Sequence, residues 1–85
     1  MDIRDAMAEQ NAGALFADGF DEAVLGFVTR WNQPSVVVYD TDMIIKILME
    51  RDGMTYEDAV EYFEFNTAGA YVGESTPLFL RRLED

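Results

Sequence analysis

AVLGFVTRWNQPSVVVYD, residues 23–40, is the stretch whose reading decides the fold. Its second half is a strand. Ser35, Val36, Val37, Val38 and Tyr39 form a β-branched and aromatic run, preceded by the turn-like cluster Trp31, Asn32, Gln33 and Pro34. Such a run is too short for a helix and suits a pleated, half-buried surface. Its first half admits two readings. Phe20, Ala23, Val24, Phe27, Val28 and Trp31 fall on one helical face, yet the segment is rich in β-branched and aromatic residues. Gly26 sits in its middle, where a helix loses roughly 1 kcal/mol relative to alanine. A lone short strand needs a partner, and the nearest in the chain is 23–29. The hairpin is therefore preferred to the helix.

The flanking segments are helical. After the strand, Asp40, Thr41 and Asp42 open a helix with a capping oxygen and acid in the first turn. Residues 43–49 are apolar except for Lys46. Ile44, Ile47 and Leu48 form the buried stripe, and Ile45 and Met49 lie off it, so this helix buries more than one side. Gly53 is placed for a left-handed C-cap. Thr55 then caps a second helix, with Asp58 at its third position in a shortened capping box. The spacing predicts a helix to about Phe65, with Tyr56, Ala59, Val60 and Phe63 on its apolar stripe. Tyr62, Phe63 and Phe65 are expected to serve the core, while Glu61 and Glu64 face water. Asn66 and Gly69 mark the helix exit. Pro77 forces Thr76 to be extended and launches a last short strand, Leu78, Phe79 and Leu80. Before the hairpin, residues 2–12 predict a short helix capped by Asp2. The expectation is a single α+β domain over 1–85. It has a small antiparallel sheet (a β-hairpin plus a C-terminal strand), two adjacent helices and a short N-terminal helix, with 1–17 a loosely packed helical extension.

Charge and composition exclude several function classes. Six basic residues face seventeen acids, a net charge of −11, with no histidine and no cysteine. Such a chain repels phosphate backbones, so direct nucleic-acid binding is not expected. Without histidine or cysteine there are no disulfides, no thiol nucleophile, no neutral-pH histidine base and none of the usual zinc ligands. The N-terminus lacks the basic start and apolar run of a signal peptide, and the apolar runs are far shorter than a membrane span. No membrane association is expected. Asp40 and Asp42 resemble the start of a calcium loop, but the fifth, sixth and twelfth positions are Ile44, Ile45 and Arg51, which cannot complete one. Helix capping explains these acids. Ser35 and Ser75 have no histidine to activate them, and the glycines at 69 and 73 lack the lysine of a phosphate loop. No catalytic residue, metal or cofactor is expected; the chain reads as a non-enzyme.

What remains is a binding surface. Glu57, Asp58, Glu61 and Glu64 crowd one helix without a basic partner one turn on, at a cost of a few tenths of a kcal/mol per like-charge pair. They are either a solvated face or a patch that meets Lys and Arg on a partner. Trp31 and Tyr71 lie in turns, where an aromatic residue covers a small core or anchors an interface. Tyr71 and Glu74, in the loop GAYVGE (69–74), are not needed merely to turn the chain. The apolar surplus of 43–49 suggests homodimerisation as an alternative, in a non-enzymatic structural or assembly module. A ligand at the 66–76 loop is a third reading.

The segments DGFDEA (18–23), VYD (38–40), GMT (53–55) and above all EYFEFN (61–66) with GAYVGE (69–74) and TP (76–77) together resemble a group of small acidic proteins of tailed bacteriophages and prophages. The resemblance covers roughly 18–80 and brings no catalytic residues with it. It implies a phage product acting in the host bacterial cytoplasm. The corresponding expectation is an acidic protein that blocks a host protein, in the manner of an anti-defence inhibitor, by docking on a basic nucleic-acid-binding surface. Its contacts would come from Glu57, Asp58, Glu61, Glu64, Tyr71 and Glu74.

Overall fold

Residues 24–40 form the hairpin. A computed structural model describes residues 2–70 and 73–83 of the chain. Strand β1 (Val24–Arg30) pairs antiparallel with β2 (Gln33–Asp40). Trp31 and Asn32 make the turn, with Asn32 at φ 56°, a left-handed position that asparagine tolerates better than most residues. The helical reading of the first half fails because the valine run needs a neighbour for its backbone groups, and β1 supplies one. A one-residue irregularity at Leu25 lets Val24 pair with Tyr39 and Gly26 with Val38.

Around the hairpin the elements run in chain order: α1 (Ile3–Gln10), a single 3₁₀ turn (Asp21–Ala23), β1, β2, α2 (Thr41–Asp52), α3 (Tyr56–Tyr62) and β3 (Leu78–Leu80). Local chemistry sets the helix ends. Asp2 accepts from the Arg4 N–H, Asp40 from the N–H groups of Asp42 and Met43, and Thr55 from the Asp58 N–H. Gly53 closes α2 at φ 68°, where a side chain would be strained. No helix among the described residues is long and apolar enough to cross a membrane.

The fold is α+β, with the hairpin, the C-terminal strand and the helices in the expected order. One feature differs from the expected antiparallel sheet. The strand order is β1-β2-β3, and β3 lies parallel to β2, with Leu78 beside Val38 and Leu80 beside Asp40. The sheet is therefore mixed. A parallel neighbour needs a crossover of a dozen residues or more, and α2, α3 and the turns after them provide it. The incoming loop is held from three places. Asn11 donates to the Ser35 carbonyl and to Ser75 Oγ at 2.9 and 3.1 Å. Arg30 donates to the Glu74 carbonyl at 2.7 Å. The Leu15 N–H donates to the Ser75 carbonyl.

Successive side chains of a strand alternate in face, so the register defines a core face of Val37, Tyr39 and Phe79. It packs with Met7 of α1, Ile44, Ile45 and Leu48 of α2, and Ala59 and Phe63 beyond. Tyr39 is fully buried. Its ring stacks on Phe79 at 5.6 Å, and its hydroxyl accepts from the Ala17 N–H at 2.8 Å. Burial of Ile44, Ile45 and Leu48 together absorbs the apolar surplus of α2, with Met49 38% exposed. The surface that suggested self-association through this helix is thus largely inside.

The helix exit also differs from expectation. Winding does not stop at Asn66. It continues as a π turn over Phe63–Thr67, where the Ala68 N–H reaches the Phe63 carbonyl, and then a 3₁₀ turn over Ala68–Ala70. A π turn widens the helix, and Ala59, Phe63 and Thr67 are the buried residues along this winding. Gly69 fits because a Cβ there would stand 2.9 Å from the Glu64 carbonyl oxygen. Replacing Gly69 by alanine is expected to cost about 1–3 kcal/mol, as overpacking does, measured as a lower urea midpoint. A variant as stable as the parent would show that the π turn relaxes without penalty.

Candidate functional site

Helix α3 and the π turn after it bring charge and aromatic surface together. Thr55 sets where the helix starts, and Ala59 and Phe63 hold it on the core, which fixes what faces solvent. Glu57, Asp58, Glu61 and Glu64 are all exposed. Asp58 and Glu61 line a shallow depression of about 470 Å³ with Met54, Tyr62, Phe65 and Asn66. Glu57 and Glu64 lie on the same winding but do not line it. Glu74 is exposed in the loop before β3, its carbonyl held by Arg30. Tyr71 lies outside the described residues.

Two aromatic residues expected in the core belong instead to this surface. Tyr62 is 40% and Phe65 73% exposed. Neither lies on the inward stripe, which runs 59, 63 and 67; Phe65 stands two residues past Phe63, away from that face. Tyr56, expected on the buried stripe, is 56% exposed as well. Thr67 is buried one turn after Phe63, and no pattern in the sequence singled it out. Trp31, at the tip of the hairpin, is 88% exposed and does not cover the core.

The electrostatics of the surface follow from where the cations go. Arg4 pairs with Asp18 and Asp21, Arg51 with Asp52, Arg81 with Asp42 and Arg82 with Asp40. Hydrogen bonding to Asp21 and to Asp52 raises the pKa of Arg4 and of Arg51 above the ordinary arginine value, so both remain charged. Arg30 is engaged by the carbonyls of Pro34 and Glu74. Among the described residues no ion pair reaches Glu57, Asp58, Glu61 or Glu64, and residues 52–80 contain no lysine or arginine at all. The same described residues hold no group of three acids close enough to bind a metal ion. What this arrangement can do is offer carboxylates beside exposed rings, a surface suited to cationic groups. Comparison with protein-family models, curated proteins and solved structures finds no match to the chain.

Proposed function

We propose that this protein is an acidic binding module that docks through α3 and its π turn on a basic surface of another protein. The observation that carries the reading is the depression in which Asp58 and Glu61 adjoin exposed Tyr62 and Phe65, on a segment with no cation of its own. Like charges at helical spacing repel, and a basic partner relieves that repulsion while the rings supply apolar contact. The resemblance to phage proteins supports a partner in the bacterial host, and the same chemistry suits a protein surface built to hold nucleic acid. On this reading the protein competes for such a surface and blocks it, without performing a reaction.

Affinity purification from an infected host, followed by mass spectrometry, would identify the partner. The site is then tested by Glu61→Lys with Glu64→Lys. Exposed charges at an interface act mainly on association rate and salt dependence. The double reversal is expected to slow association roughly tenfold or more at low salt and to flatten the salt dependence of the remaining affinity. Unchanged binding and an unchanged salt slope would remove α3 from the interface.

A further inference from the structure

A second candidate site lies on the opposite flank of the sheet order, where α1 meets β1. A pocket of about 130 Å³ opens there, walled by Ile3, Ala6 and Met7 of α1, by Phe16, by Val24 and Phe27 of β1, and by Val37 of β2. Its lining is apolar, so it offers a charged or hydrogen-bonding ligand nothing to pair with. An apolar space of about this size admits a group the size of benzene. Gly26 also lines it, and nothing lies within 4 Å of where its Cβ would be. The strand beside the pocket is an edge. β1 pairs only with β2 in the order β1-β2-β3; the Val24 N–H donates to the Asp21 carbonyl in the preceding 3₁₀ turn, and among the described residues no other backbone hydrogen bond from outside the hairpin reaches Val24–Arg30.

An unpaired edge strand is a template for another extended backbone. When a peptide adds to such an edge, main-chain hydrogen bonds supply affinity and pockets for alternate side chains supply specificity. Here an open edge and a pocket sized for one apolar side chain lie together, and the gap at Gly26 admits close approach of a second backbone. The rim gives the charge of the visitor. Arg4, stacked 4.6 Å over the Phe16 ring, faces two carboxylates, Asp18 and Asp21. Asp2 and Asp5 of the α1 segment are exposed beside it. The rim is net negative and complementary to basic flanks.

We infer that the β1 edge and the α1–β1 pocket bind an extended segment of a partner protein, one that inserts a single large apolar side chain flanked by basic residues. This site is separate from the α3 surface and does not depend on it. Two measurements on the intact protein test it. The first adds benzene and follows the methyl resonances of Val24 and Val37. They are expected to shift in the parent and not in Ala6→Leu, which fills the pocket from a helical position. Absence of a shift in the parent would mean that the pocket is closed in solution and would overturn the proposal. The second pans a random peptide library against the protein. Enrichment of one large apolar residue between Lys or Arg, with amide shifts along Val24–Arg30 and affinity reduced roughly tenfold or more by Ala6→Leu, is the expected result. No enrichment, a footprint on α3, self-association through β1 in place of peptide binding, or equal affinity for Ala6→Leu would each overturn it. Benzene entry without peptide binding would reduce the site to one for small nonpolar molecules and equally remove the partner segment.

Discussion

Tyr39→Ala is expected to destabilise the protein by about 3–5 kcal/mol, the range for deleting a buried aromatic ring. At roughly 0.05–0.15 kcal/mol per residue, the whole reserve of a chain this size is about 4–13 kcal/mol, so the loss would take from about a quarter of that reserve to all of it. The reason lies in the position of this one side chain. Tyr39 is fully buried on the central strand, between the β1 and β3 neighbours Val24 and Phe79. Its ring stacks on Phe79, which in turn meets Phe63 edge-on at 5.2 Å. Its hydroxyl accepts from the Ala17 N–H, tying the segment before β1 to the sheet. The milder Tyr39→Phe keeps the ring and removes that acceptor, at about 1–3 kcal/mol for a buried group left unpaired. Urea denaturation of the two variants separates ring from hydroxyl. Equal midpoints would mean that the ring contributes nothing beyond the hydrogen bond, which the stacked geometry does not allow.

Phe63→Ala and Phe65→Ala are expected to diverge, although the residues are two apart in one aromatic cluster. Phe63 is 6% exposed and closes the far end of the Tyr39–Phe79 stack, so its loss costs about 3–5 kcal/mol. Phe65 is 73% exposed, and its loss should change stability by no more than about 0.5 kcal/mol while weakening attachment of a partner at the α3 surface. The pair tests which side of the winding faces the core. A winding with both rings inside would make the two variants comparable, and comparable urea midpoints would refute the described burial. If Phe65→Ala leaves both stability and partner affinity unchanged, the aromatic part of the α3 surface has no role in binding.

These two predictions also mark where the sequence was readable. Asp40, Thr55 and Gly53 end or start helices through their own side chains or backbone freedom, so their roles were legible from the residues alone. The hairpin was legible because three valines and a tyrosine demand a paired neighbour, and the chain has one close by. The acidic face of α3 was legible from spacing. Phe65 and Tyr62 were misread because their rings were assigned to the core as aromatic residues, although along this winding Ala59, Phe63 and Thr67 are the ones that face inward. The pocket beside β1 left no trace in the sequence. Ile3, Phe16 and Phe27 are ordinary apolar residues far apart in the chain, and only α1 crossing the sheet sets them around one space.

By itself, the sequence determined the elements, their caps and the charge of the exposed helix, because those depend on interactions within a turn or two of chain. Tertiary structure alone decided that β3 runs parallel to β2, since strand direction depends on where a long crossover returns the chain. It also decided which rings of 61–66 face water and where the edge of β1 stays open. Those follow from packing against distant segments, whose net contribution no local pattern records.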